Sequence, residues 1–415
     1  MRVLFAGLSE SAHLYGMVPL AWALTSAGHE VLMANEPSLT DTITGAGLIA
    51  APVGRDHGIH SDMSGSRESQ DADVANWSRL APGQVDWPAM RRRYEISVPW
   101  GFARYNDPVI DDMVELARSW RPDLVVRDPL AYAGAIAARA CGAAHARLLW
   151  CADVYAQARR TFVELHAQQP PAERTDPLAE WIDERGAPFG VVCDEELLNG
   201  QFTLDTLPPK LRPHTGLRTV SMRYQPYNGP AVLWDWLRDA PKRPRVCLTL
   251  GRTNTEAYGG DYISVPDILT ALSALDIEVV AALMPQQRAQ LGELPENVRA
   301  VHGVALHTLL PSCSLVIHHG GWGTFSTALV NAVPQLTLST YVADQEMRGR
   351  TLEREGAGVF LHHSEVTPEK VVHHTRRMLD DATFAVNAKR LSDESAAMPT
   401  PYETVAELER IAMSR

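Results

Sequence analysis

Two stretches of this chain, one from Val3 to Trp150 and one beginning at Arg245, alternate short apolar runs of strand length with segments whose apolar residues recur at helical spacing. Strands alternating with helices make parallel sheets covered by helices on both faces, so each stretch predicts a doubly wound, Rossmann-like α/β domain. In the first, Val3–Ala6, Glu30–Ala34, Leu48–Val53, Leu124–Val126 and Ala146–Trp150 read as strands. Between them, His13–Ala27 reads as a helix with Leu14, Met17, Val18, Ala21 and Leu24 on one face and Gly28 at its end, and Tyr132–Ala140 as an alanine-rich helix. In the second, the expected strands are Arg245–Leu250, Glu278–Leu283, Val298–Val301, Leu315–Ile317 and Gln335–Leu338, with a helix near Val265–Leu275. The length agrees, because 415 residues exceed one comfortable core and suit two units of about 200 residues each.

The junction falls in the proline-rich, irregular zone from Pro208 to Pro244, which carries Asn228-Gly229-Pro230. The expected organisation is residues 1–225 as one domain, 226–400 as the other, and 401–415 as a helix crossing back onto the first. From Arg55 to Trp100 the periodicity dissolves into Ser, Asp, Gly and Arg, which predicts an excursion beside a site or a partner surface.

A formal charge of −12 argues against nucleic acid and anionic membranes as partners, since both reward clustered Lys and Arg. The five cysteines, Cys141, Cys151, Cys193, Cys247 and Cys313, never form a Cys-x-x-Cys pair, which suggests neither a disulfide framework nor a zinc site and fits a reducing cytoplasm. No apolar run reaches the ~18 residues of a membrane span, and the start is too short for a signal-peptide core.

The stretch His318-His319-Gly320-Gly321-Trp322-Gly323-Thr324 leaves the strand Leu315–Ile317 and opens a helix. Glycines allow close backbone approach, and a helix start offers unpaired N–H groups and about half a positive charge, which together suit a diphosphate. By themselves these glycines fit a turn over buried histidines equally well. Asp344-Gln345 follows the next strand and so falls on the same rim, where an acceptor carboxylate and an amide suit the hydroxyls of a polyol. An N-cap Asp beside a solvent-facing Gln is the bland alternative.

Taken together, His319-x-Gly321-Trp322-Gly323-Thr324 and Asp344-Gln345 resemble the donor signature of family 1 inverting glycosyltransferases of the two-Rossmann-domain GT-B architecture. Leu248–Gly251, Leu309-Leu310-Pro311, Val333-Pro334-Gln335, Val18–Ala23, Ala27–Val31, Ser119–Leu124, His145–Trp150 and Tyr227–Pro230 are similar to the bacterial antibiotic branch, the macrolide and anthracycline deoxysugar transferases. The resemblance covers nearly the whole chain and is weakest over Arg55–Trp100.

It implies a catalytic base at His13 with Asp128 as its partner carboxylate, and a diphosphate held by Gly251, Arg252, Thr253, His319, Gly320, Gly321, Gly323 and Thr324. His302, Gly303, Val304 and Thr327 would meet the nucleoside, and Asp344 and Gln345 the sugar. Thr327 stands where plant relatives carry a ribose-binding glutamate, which points to a dTDP-sugar donor. A hydrophobic aglycone is the implied acceptor, with Trp77, Trp87, Trp100, Phe102 and Tyr105 as candidate lining residues, although aromatic residues are as often core. No metal or other cofactor is expected, and Asp71-Ala72-Asp73 reads as solvated surface. Some look-alike enzymes need a cytochrome-P450-like activator on their first domain, which makes such a protein a candidate partner here; a homodimer is the assembly considered. A nucleotide-sugar 2-epimerase and a noncatalytic sugar-nucleotide-binding partner are the competing functions, and a dehydrogenase is disfavoured because no Gly-x-Gly-x-x-Gly follows Val3–Ala6.

Overall fold

The computed structural model describes residues 1–59, 75–251 and 261–413. Seven parallel strands form the first sheet: β1 (Arg2–Ala6), β2 (Glu30–Asn35), β3 (Ala50–Pro52), β4 (Leu124–Arg127), β5 (Ala144–Leu148), β6 (Phe202–Asp205) and β7 (Thr219–Ser221), in the order β3-β2-β1-β4-β5-β6-β7. Six form the second: β8 (Arg245–Thr249), β9 (Glu278–Ala282), β10 (Val298–Val301), β11 (Leu315–His318), β12 (Gln335–Ser339) and β13 (Gly358–His362), in the order β10-β9-β8-β11-β12-β13. In both, the central strands are apolar without alternation because helices cover both faces; Val3, Leu4, Phe5 and Ala6 are all fully buried. Register places Phe5 opposite Met33 on one side and Val126 on the other.

Strand order reverses between β1 and β4 in the first sheet and between β8 and β11 in the second. Crevices open at the carboxyl ends of strands at such reversals. The helix Ser11–Ser26 leaves β1, and the helix Trp322–Val330 leaves β11, so each helix starts at one of these crevices. An apolar seam of Ala152, Leu207, Leu211 and Tyr224 against Trp322, Phe325, Leu329 and Leu391 joins the two units.

The C-terminal helix Pro401–Met413 lies on the first domain, burying Val405, Leu408 and Ile411 with Leu14 and Met17. Leu408 is fully buried, a contribution of about 1.5–3 kcal/mol from apolar surface alone. His29 Nε2 approaches the same helix, 3.1 Å from the Glu409 carboxylate. Among the described residues, no helix is long and apolar enough to cross a membrane.

Three strands and one helix depart from the pattern visible in the sequence. β6 and β7 span only four and three residues, too few to display a period, and β13 follows Gly356 so closely that it reads as part of a turn. Within the Arg55–Trp100 stretch lies the helix Trp87–Ser97, capped by Asp86 accepting from the Ala89 N–H at 2.9 Å. Its buried face is only Trp87, Met90 and Tyr94, and three consecutive arginines mask the spacing.

Candidate active site

A cleft of about 550 Å³ opens between the sheets. The second domain lines it from the ends of four strands: Thr249 and Gly251 after β8, Ala282–Met284 after β9, His302–Leu306 after β10, and His319 with Gly321–Thr324 after β11. Ser9–Ala12, Tyr15 and Gly16 of the first domain form the opposing wall, and Tyr224 with Tyr227–Pro230 the hinge side.

The turn after β11 is built around two histidines with different tasks. His318 is fully buried and pins the turn: Gly320 N–H donates to its Nδ1 at 3.0 Å, while Nε2 meets Gln335 Oε1 at 2.9 Å. Burial, with smaller effects from His319 and Arg348, pushes its pKa down to about 3. His319 lies between two glycines; a Cβ on Gly251 would fall 2.2 Å from its Cε1, and one on Gly321 2.6 Å from its Nε2. Gly251 also has φ +70°, so no other residue satisfies both the backbone and the imidazole there. Burial and then the Arg348 charge lower His319 to about 4, against a hydrogen bond with the Thr249 backbone. It is therefore a neutral ring at physiological pH, and among the described residues its buried Nδ1 has no hydrogen-bond partner. Beside it the helix Trp322–Val330 begins without a side-chain cap. An uncapped helix start beside a neutral imidazole, both lining the cleft, constitutes an anion site.

On the opposing wall, His13 sits on the first turn of the helix Ser11–Ser26, between Ala12 and Tyr15, which line the cleft while His13 itself lies just behind that lining. Its Nδ1 lies 2.8 Å from Asp128 Oδ2. Asp128, immediately after β4, is wholly buried, and its Oδ1 accepts from the Leu130 N–H at 2.8 Å. A carboxylate only accepts, so the shared proton belongs to His13 Nδ1, and in the neutral ring the lone pair is on Nε2. The Trp150 indole stacks on the imidazole with centroids 3.9 Å apart. Behind the pair, buried Arg127 holds the Asp128 loop by donating to the carbonyls of Asp128 and Pro129 at 3.1 and 2.9 Å and to those of Leu197 and Leu198.

Of the residues picked out from sequence, Gly251, His302, Gly303, Val304, His319, Gly321, Gly323 and Thr324 line one cleft. Arg252 and Thr253 lie outside the described residues, as does Asp71-Ala72-Asp73. Gly320 faces the other way: its carbonyl accepts from Arg348 Nη2 at 3.0 Å, and a Cβ there would meet Ser339 at 2.9 Å. Thr327 does not reach the nucleoside side of the cleft, because its buried hydroxyl donates back to the Gly323 carbonyl at 2.6 Å and hydrogen-bonds Tyr224, which takes the cleft-facing place.

Asp344 also differs from expectation. It is buried, paired with Arg348 through both oxygens at 2.9 Å, and accepts the Ala152 N–H of the first domain at 2.7 Å. A buried carboxylate requires such partners, and they occupy most of its acceptor capacity. Gln345 remains half-buried, its Oε1 accepting from Thr340 Oγ1 at 3.1 Å.

None of the aromatic acceptor candidates lines this cleft, and Trp77 and Phe102 border a separate small pocket within the first domain. Trp77, Trp87 and Phe102 are core: Trp77 packs on Tyr94, Phe102 and Tyr155, and Trp87 on Phe162. Large rings bury the most apolar area when they pack on one another, and these do. Trp100 is 71% exposed, and Tyr105 packs edge-on against His57 while its hydroxyl meets Glu10 at 3.3 Å. Arg348 and Arg127 belong to no motif, and Trp150 ends the His145–Trp150 stretch without a role read for it. Arg348 alone carried a readable signal, standing four residues after Asp344 on one helix face; Trp150 and Arg127 meet the pair only through the sheet.

Two Rossmann-like domains in the GT-B arrangement, with an anion site on one lip and a histidine–carboxylate pair on the other, define a glycosyltransferase. Comparison with known proteins agrees. Residues 22–251 match the N-terminal domain and residues 266–411 the C-terminal domain of the erythromycin biosynthesis protein CIII-like family, and the chain belongs to that family. It is 49% identical to the 10-deoxymethynolide desosaminyltransferase of Streptomyces venezuelae, over 99% of this chain and 97% of that one. Identity to the aclacinomycin-T 2-deoxy-L-fucose transferase of Streptomyces galilaeus is 41%, over 99% and 96% of the two chains. A crystal structure of the glycosyltransferase VinC in complex with dTDP superposes with a TM-score of 0.87 at 38% identity, covering 100% of both chains.

Proposed function

We propose that this chain transfers a deoxyhexose or aminodeoxyhexose from its dTDP derivative to a hydroxyl of an apolar polyketide aglycone, of macrolide or anthracycline type, with inversion at the anomeric carbon. The observation that carries this reading is the His13–Asp128 contact at 2.8 Å on the lip opposite the uncapped helix start at Trp322. Desosaminyl and 2-deoxyfucosyl transfer by the relatives, and the dTDP held by VinC, support the choice of donor and acceptor class.

In this mechanism His13 Nε2 takes the acceptor proton while the acceptor oxygen bonds to the anomeric carbon. The bond from that carbon to the phosphate oxygen breaks with its electron pair, and the departing charge is received by the Gly321–Thr324 N–H groups and by an N–H of neutral His319. Asp128 steadies the imidazolium formed on His13. Base and deoxyribose lie against His302, Gly303 and Val304, with Tyr224 rather than Thr327 beside the sugar. The hexose lies toward Gln345, whose loop Asp344 and Arg348 hold in place. No step of this mechanism calls for a metal ion. We place the reaction in the cytoplasm, consistent with five free thiols.

The test is transfer by purified chain from a panel of dTDP-deoxysugars to macrolactone and anthracyclinone aglycones, followed by mass spectrometry, with EDTA present. Glycoside formation that persists in EDTA is expected. A sugar isomerised on its nucleotide without transfer, or dTDP binding with no turnover under any pairing even with a P450-like activator added, would refute the proposal. Full turnover by the chain alone would dispose of an obligatory P450-like activator.

A further inference from the structure

The first domain touches the second at a place remote from the hinge, and it lands on the loop that carries Gln345. Asn76 forms a parallel β-bridge with Ala343, in which Trp77 N–H donates to the Ala343 carbonyl at 3.1 Å and Ala343 N–H to the Ala75 carbonyl at 2.9 Å. Ala343 has φ +52°, a left-handed conformation that a non-glycine residue keeps only where its surroundings hold it. One turn of chain further on, Glu346 receives three hydrogen bonds from the first domain: Asn76 Nδ2 at 2.8 Å and Arg79 Nε at 3.0 Å on one oxygen, and Arg79 Nη2 at 3.2 Å on the other. The Arg79 guanidinium also lies 4.7 Å from the centre of the Tyr341 ring.

Residues 341–346 are therefore gripped on both sides of Asp344-Gln345, while Asp344 itself accepts the Ala152 N–H. The gripping segment is rigid in its own domain. Trp77 is anchored by its ring in the core, and Arg93 Nη1 donates to the Asn76 carbonyl at 3.0 Å. Burial would raise the Glu346 carboxyl, but the hydrogen bonds from Arg79 and Asn76 outweigh it and hold the group below the ordinary carboxylate range. None of these residues lines the cleft where the nucleotide fits.

We propose that Asn76 and Arg79, acting through Glu346 and the Ala343 bridge, are positioning residues for the donor-sugar loop, so that the sugar half of the donor is recognised only when the two domains are joined here. Nucleoside and diphosphate contacts come chiefly from the ends of β8 to β11 and do not pass through this clamp. The inference rests on the reading of Gln345 as a sugar contact. It assigns the poorly patterned segment before Trp87 a task in donor selection rather than in lining the aglycone pocket.

The experiment is titration calorimetry of the full chain with dTDP and with dTDP-glucose, on Arg79→Ala, Glu346→Gln and their double variant, with melting temperature measured alongside. Arg79 is 48% exposed, so its truncation leaves the core intact. Each single variant is expected to weaken dTDP-glucose about tenfold, the size of one partly exposed charge-assisted hydrogen bond, while dTDP changes by less than about twofold. The double variant should be no weaker than the worse single one, because both remove the same contact. Equal losses for dTDP and dTDP-glucose, no loss for either, or additive losses in the double variant would each overturn the proposal. Gln345→Ala separates the two layers of inference. If it erases the preference for dTDP-glucose while the clamp variants do not, the clamp is wrong; if it leaves that preference intact, the sugar-loop reading itself is wrong.

Discussion

Replacing Asp128 by asparagine changes one atom and, by the geometry, inverts the chemistry of His13. Asp128 is fully buried, with Oδ1 committed to the Leu130 N–H at 2.8 Å and Oδ2 facing His13 Nδ1 at 2.8 Å. The amide oxygen of asparagine must stay on Leu130, since turning it would set two donors against each other. Its NH₂ then points at His13 Nδ1, and the only arrangement without a second donor clash moves the imidazole proton to Nε2. The atom that should accept the substrate proton then already carries one. The imidazolium also loses its counter-charge, worth about 4 kcal/mol for unit charges 4 Å apart at an effective dielectric of 20. Loss of tautomer and counter-charge together place the expected fall in kcat at about 10²–10⁴, or roughly 3–5 kcal/mol of barrier. The assay is turnover at saturating dTDP-sugar and aglycone, with dTDP affinity by calorimetry and melting temperature as controls, both expected to stay near wild type. A kcat within about threefold of wild type would refute the role given to the pair.

Gly251→Ala should cost more than its size suggests, because its Cβ would sit 2.2 Å from the His319 ring at φ +70°; dTDP affinity by calorimetry is expected to drop by at least about tenfold, and normal affinity would free His319 from the donor site. Arg348→Met strands the buried Asp344 carboxylate and should destabilise by about 3–5 kcal/mol in urea unfolding; the double variant with Asp344→Asn should recover most of that loss, and an equally unstable double variant would count against pairing as the cause. His319 titrates near 4 in the fold against 6.5 unperturbed, so the unfolded chain binds its proton more readily and stability should fall as pH drops through that window. His319→Asn should flatten the decline seen in melting curves between these pH values, and an unchanged slope would assign the acid sensitivity elsewhere.

Legibility followed the range over which each feature is determined. The strands β1, β2, β4, β8, β11 and β12 are buried on both faces and announce themselves as apolar runs; the short edge strand β7, with three residues and a half-wet surface, gives no comparable signal. Gly321, Gly323 and His319 were readable because a turn feeding a helix start restricts residue type locally, whereas Gly251 came only with the resemblance. Asp344 was readable as a rim carboxylate, yet its partner Ala152 lies 192 positions away, and no local rule reveals that a backbone N–H from the other domain claims it. The five aromatic candidates lie away from the cleft for a related reason: a large ring is recognisable in sequence, whereas the surface it packs against is not.

Sequence alone determined that two doubly wound sheets would form and that strand ends at their reversals would carry the chemistry, because periodicity and glycine placement act within a few residues. The meeting of His13 with Asp128 across 115 positions was expected from the resemblance, but only the tertiary structure decided that Trp150 covers the imidazole and that Asn76 and Arg79 grip the loop around Gln345. Those contacts depend on how two separately folded sheets are set against each other, and the burial and charge complementarity that fix that setting exist only once both have formed.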